Sequence, residues 1–116
     1  MSIPFSLSDS YGHETTGLVY LEDDYLVFSF QTKKWGLFEQ APEKVMAELG
    51  VIQQIRFGRG LFSDTIYIVP KNLELSNALP GDHKGEVRIK VARRYRHEAE
   101  SFVDEVRMKI REYHTK

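Results

Sequence analysis

The sequence predicts a mainly β domain closed by a single C-terminal helix. Two observations carry this. Residues 95–113 place Ala99, Phe102, Val103, Val106, Ile110 and Tyr113 at spacings of three and four, one face of an amphipathic helix. The preceding chain holds at least five short segments rich in branched and aromatic residues, the composition of strands. A helix with one apolar stripe needs a complementary surface, and here only β-structure can supply it. The expected architecture is a small barrel or bent sheet with the helix over its open mouth.

The 116 residues make one domain, large enough to bury a core without staples. Hydrophobic content of 41% against 28% charged is ordinary for a globular protein and excludes disorder over most of the length. There is no cysteine, which removes disulfides, thiolate catalysis and cysteine-based zinc sites. The start, Met1-Ser2-Ile3-Pro4-Phe5, lacks a basic region followed by an apolar run, and no stretch approaches the ~20 apolar residues of a membrane span. A soluble, cytoplasmic protein is expected. A net charge of -1 argues against a general nucleic-acid binder.

Residues 1–15 are polar and irregular, with Phe5, Leu7 and Tyr11 as anchors, and read as an N-terminal arm. Gly17 to Leu21 and Tyr25 to Thr32 alternate as paired strands around Glu22-Asp23-Asp24. That link is short enough for a hairpin but lacks the Asn-Gly or Asp-Gly of the strongest turns. Apolar residues on both faces of the second strand imply burial on one side and cover on the other. Gln31 to Gln40 breaks the pattern. From Pro42, proline at a first helical position followed by Val45, Met46 and Leu49 favours a helix by propensity, while Val45, Ala47 and Leu49 also alternate as in a strand. Gln53 to Phe57 and Phe62 to Val69 form a hairpin around Gly58-Arg59-Gly60, whose glycines are expected to supply positive φ. Leu73, Leu75 and Leu79 lie in an irregular connection. Glu86 to Ala92 alternates with Val87, Ile89 and Val91 inward and Arg88 and Lys90 outward. The terminal helix has no Ser, Thr, Asp or Asn cap, and its basic far end suits the helix dipole.

The order of Gly17-Leu18-Val19-Tyr20-Leu21, Leu26-Val27-Phe28-Ser29-Phe30-Gln31, Leu49-Gly50-Val51-Ile52-Gln53-Gln54-Ile55, Arg59-Gly60-Leu61-Phe62 and Gly85-Glu86-Val87-Arg88-Ile89-Lys90-Val91 resembles that of bacterial pleckstrin-homology-like domains. The resemblance covers roughly residues 17–110. It implies a strand over Lys44 to Leu49 and a PH-like barrel over 17–92, with about seven antiparallel strands in two near-orthogonal sheets. The helix at 95–113 would plug one corner through Phe102, Val106 and Ile110. It also implies a binding module without catalytic machinery or cofactor. Familiar members grip phosphoinositide head groups with basic residues in the first strand-strand loop. Here that loop is Glu22-Asp23-Asp24, which would repel phosphate, so that ligand is not carried over. Other relatives bind peptides between helix and edge strand, or self-associate.

Two sets of residues are candidates for contact with a partner. Lys33, Lys34, Trp35, Leu37 and Phe38 in one loop, and Arg59, Leu61 and Phe62 in another, mix cations with large apolar side chains. If both loops share one end of the barrel, they could meet a partner or an anionic bilayer; the competing expectation is that Trp35, Leu37 and Phe62 fold back over the core. Arg88, Lys90, Arg93 and Arg94, with Arg96 close behind, form a basic face that could take an acidic peptide or phosphate, or pair with neighbouring carboxylates. His13, His83, His97 and His114 are scattered, which fits surface positions better than a metal site. No nucleophile comes with a base and an oxyanion hole. The expected function is non-catalytic binding or scaffolding of a protein or peptide partner, homo-oligomers included. Peripheral membrane binding is the first rival, and a small barrel enzyme the second.

Overall fold

The computed structural model describes residues 1–8, 12–34, 38–39, 41–81, 83 and 85–115. Among them are seven strands of six to ten residues and one of two. They are β1 (Ser2–Ser8), β2 (His13–Glu22), β3 (Tyr25–Lys34), β4 (Phe38–Glu39), β5 (Glu43–Glu48), β6 (Ile52–Gly58), β7 (Ser63–Pro70) and β8 (Val87–Ala92). A short helix α1 (Glu74–Ala78) links β7 to β8, and α2 (Arg96–His114) ends the chain. All pairings are antiparallel, in one sheet of order β4-β3-β2-β1-β8-β7-β6, with β5 also pairing β3. The sheet is not closed: no ladder joins β5 to β6, which connect through a 3-10 turn at Leu49–Val51. The strands expected of a barrel are present, but hydrogen bonding arranges them as one continuous open ladder.

Alternation decides which face each strand buries. In β7 it runs unbroken, with Asp64, Ile66, Ile68 and Pro70 inward. In β8 it puts Val87, Ile89 and Val91 inside and Arg88 and Lys90 outside, as expected. In β3, Leu26, Phe28 and Phe30 face the core while Val27, on the other face, is also buried, so both sides of that strand are covered. The hairpin tip is a two-residue turn in which Asp23 takes the left-handed φ of 53°. Aspartate tolerates that region better than most residues. At Gly17, a Cβ would press on the Phe30 Cα at 2.8 Å, so only glycine lets β2 approach β3 there.

Residues 2–8 and 13–15 are strand and not an irregular arm. Ser2–Ser8 is an inner strand, hydrogen-bonded to β2 along its whole length and to β8 at Ser6–Lys90. Its buried residues Ile3, Phe5 and Leu7 belong to the core, and the Phe5 ring meets Phe28 edge to face at 6.1 Å. Residues 13–15 begin β2, and Tyr11 lies outside the described residues. The helix preference after Pro42 is also overruled. Pairing with β3 from Phe30↔Glu43 to Tyr25↔Glu48 makes this segment β5, as the resemblance implied.

The stripe on α2 docks as predicted: Ala99, Phe102, Val103, Val106 and Ile110 are buried and Tyr113 is half-buried. The helix lies mainly against β6 and the Leu49–Val51 turn, with β1, β7 and β8 beneath. No side chain caps its start, which follows a 3-10 turn at Arg93–Tyr95. Among the described residues no helix is long and apolar enough to cross a membrane.

Candidate docking site

The β6–β7 connection is held by an unusual number of charged groups. Asp64 occupies an inward position of β7, in phase with Ile66 and Ile68, and is fully buried. A buried carboxylate needs partners. Arg96, on the first turn of α2, donates Nε to Oδ2 at 2.8 Å and Nη2 to Oδ1 at 2.7 Å. The Gly60 amide donates to Oδ1 at 3.1 Å. The hydrogen bonds from Arg96 outweigh burial and hold the Asp64 carboxyl below its usual range. The same pairing raises the Arg96 guanidinium.

From this pair the clamp extends over the turn backbone. Arg96 Nη2 reaches the Gly60 carbonyl at 3.3 Å, and Arg93 Nη1 reaches the Leu61 carbonyl at 3.0 Å. Arg59 donates Nε and Nη2 to Glu100 Oε1 at 3.0 and 2.7 Å. The glycines here do not take the expected positive φ. They serve close approach instead: at Gly60 a Cβ would collide with the Ser63 carbonyl oxygen, and at Gly58 it would meet the Tyr67 ring at 2.8 Å. The result is a connection tied to α2 whose tip residues point away from the core. Leu61 is 83% exposed and Phe62 is 92% exposed. The expectation that Phe62 folds back over the core is overturned.

The other sequence-derived candidates divide. Trp35 and Leu37 lie outside the described residues, as do the side chains of Lys34 and Phe38. Lys33 is exposed near the end of β3. Register sets Lys33 and Lys34 apart from the β6–β7 turn. Lys34 pairs with His13 and Glu14 with Ser8, so the far end of β3 shares one end of the ladder with the end of β1. The pairs Ser63↔Ala92 and Gly58↔Thr65 put the β6–β7 turn at the other end.

The basic face divides as well. Arg88 and Lys90 share the outer face of β8, where they and His83 line a hollow of about 170 Å³ that includes Ser6 and Ser8. Arg88 sits 3.6 Å from Glu86, which also receives Arg56 at 3.0 Å, and both guanidinium groups lie over the Tyr67 ring. Arg93 and Arg94 are exposed at the opposite end of β8, where Arg93 joins the clamp.

Sequence reasoning missed Asp64 and Glu100, while Arg96 entered only as one of a basic set expected to pair with carboxylates on neighbouring strands. The signal for Asp64 was there: an acidic residue in the inward phase of a strongly apolar strand demands a buried cation. Nothing comparable marked Arg96 among the arginines around it.

Two further features adjoin α2. Its side toward the outer edge of β6 forms a groove of two hollows, about 280 and 250 Å³, both lined by Arg107. Near the other end of the helix, a hollow of about 380 Å³ lies between β5, the Leu49–Val51 turn and α1. It is lined by Tyr25, Val45, Met46, Leu75 and Ala78, with Glu48 and Glu74 among its walls. The Tyr113 hydroxyl donates to Glu48, which raises the phenol above its usual value.

Among the described residues no group of three His, Cys, Asp or Glu side chains is placed to hold a metal ion. In comparisons with known proteins, no family model, no curated protein and no solved structure matches this chain.

Proposed function

We propose that this chain is a non-catalytic, pleckstrin-homology-like binding module that docks a protein partner through the β6–β7 turn. The single observation behind the reading is order without burial. Asp64, Arg96, Arg93, Arg59 and Glu100 fix the backbone around the turn, yet Leu61 and Phe62 stand in water. An aromatic anchor already held in place loses little conformational freedom on binding, and rigid aromatics beside arginines are favoured interface anchors. The likeness to the family supports the same reading. β1, β2, β3 and β5 lie to one side of the β1–β8 pairing and β6 and β7 to the other, and α2 packs mainly on β6 and the Leu49–Val51 turn. The finer picture of two near-orthogonal sheets bent into a barrel belongs to this proposal, as does a cytoplasmic location.

Membrane contact through both candidate segments has less behind it, because Lys33 and Lys34 end β3 at the opposite end of the ladder from the β6–β7 turn. The test is a photo-crosslinking amino acid at position 62 in living cells, with one at exposed Met108 as control. A discrete adduct from position 62 alone is expected. Capture of lipid only, or equal labelling from both positions, would overturn the docking reading.

A further inference from the structure

We infer that the partner of the Leu61-Phe62 tip is a second copy of this chain, which receives it head to tail in the hollow between β5 and α1. The inference rests on the docking reading above and adds the identity of the partner. Three observations carry it.

The first is shape and polarity. The receiving hollow, about 380 Å³, falls within the ~300–1,000 Å³ range of pockets that enclose ligands. Its lining is chiefly apolar, with Val45, Met46, Ala47, Leu75 and Ala78, which suits an incoming Phe62 ring with Leu61 beside it.

The second is charge. The donor tip carries Arg93, bonded to the Leu61 carbonyl, and Arg59, paired with Glu100, with Arg94 next along the chain, all three exposed. The receiving hollow has Glu48 and Glu74 among its lining residues. Beside it lies the acidic hairpin, whose Asp24 carbonyl accepts the Leu49 amide at 2.9 Å. Cations around the plug and carboxylates at the socket select this orientation and disfavour tip-to-tip pairing, where arginines would face arginines.

The third is placement. The tip is tied to Glu100 near the start of α2, while Glu48 of the socket is tied to Tyr113 near its end. Tyr113 lies thirteen helical steps beyond Glu100, about 20 Å at 1.5 Å per step. A rigid helix therefore keeps plug and socket of one chain apart, and only another copy can bring them together. Such a contact is heterologous, and it propagates into open chains unless the rotation per subunit closes a ring.

The experiment is light scattering and sedimentation across a concentration series up to millimolar, with circular dichroism confirming that each variant is folded. The wild type is expected to gain mass with concentration beyond a dimer and to lose it as salt is raised. The plug variant Leu61→Ser/Phe62→Ser and the socket variant Met46→Lys should each remain monomeric alone. Mixed in equal amounts they should form a dimer and stop there, since one intact plug meets one intact socket. Glu74→Lys, at an exposed position of α1, is a second socket variant should Met46→Lys not fold. A monomeric wild type at millimolar concentration overturns the inference, while a position-62 adduct with a different protein would leave the docking reading standing. Association lost in the plug variant but kept in both socket variants would also overturn it, in favour of tip-to-tip contact.

Discussion

Arg107 on α2 donates its Nε to the carbonyl of Ile55 on β6 at 2.9 Å, so the helix occupies one hydrogen-bonding position on the edge of the sheet. Open edges invite pairing with other chains, and covering them is a common protection. Arg107→Ala should therefore free the Ile55 carbonyl at a cost of about 1 kcal/mol. Hydrogen exchange should rise in β6 more than in β8, measured by mass spectrometry. Uniform exchange across the sheet would show that the contact does not secure the edge.

The Asp64–Arg96 pair is predicted to be costly to break from one side only. Arg96→Leu leaves a buried carboxylate without its main partner and should destabilise the fold by about 3 kcal/mol in urea unfolding. Replacing both residues with leucine should recover most of that loss. A double variant as unstable as Arg96→Leu would show that the clamp contributes more than charge compensation.

The same carboxylate sets a pH dependence. Its folded pKa lies below the ordinary value of 3.8, so the folded state favours its ionised form. That stabilisation is complete above the ordinary value and is lost as pH falls through the lower folded value. The wild type should lose stability in acid more steeply than Asp64→Asn/Arg96→Gln, as measured by thermal melts from neutral pH downward.

Tyr113 behaves in the opposite sense at high pH. Its hydrogen bond to Glu48 comes first among the causes that raise its phenol above the ordinary value of 10.0. The contribution is present below that value and lost as pH rises through the folded pKa. Ultraviolet titration should show one late-ionising tyrosine, which disappears in Tyr113→Phe and moves back toward the ordinary range in Glu48→Gln.

Two phenylalanines should respond very differently to truncation. Phe102 is 1% exposed beneath α2, and Phe102→Ala should cost about 3–5 kcal/mol. Phe62→Ser should change stability by less than about 0.5 kcal/mol, because its ring contributes little to the core. A large loss in Phe62→Ser would mean that the tip supports the fold.

Much of the architecture was legible because alternation and helical spacing are local signals. The stripe on α2, the alternation of β8 and the hairpin from β2 to β3 all follow from neighbours in sequence. The errors arose where long-range pairing decides. Ser2–Ser8 alternates Ile3, Phe5 and Leu7, yet its serines and proline hid a strand that β2 and β8 flank on both sides. Glu43–Glu48 carries helical propensity, and the strand expected there came from the resemblance alone, because the pairing with β3 that makes it one is not a local signal. The exposed positions of Leu61 and Phe62 depend on Arg93, Arg96 and Glu100 reaching over from α2, and no local pattern reveals that.

The place of β1 constrains how the molecule can assemble. Ser6 must find Lys90, at nearly the other end of the chain, before the two halves of the sheet are joined. Contacts so remote in sequence are slow to form because a long loop must close first. During synthesis β1 must wait for β8, with the side of Ile3, Phe5 and Leu7 that β8 covers bare in the interval. Folding to the finished state is therefore expected only once β8 has left the ribosome, in one late cooperative step.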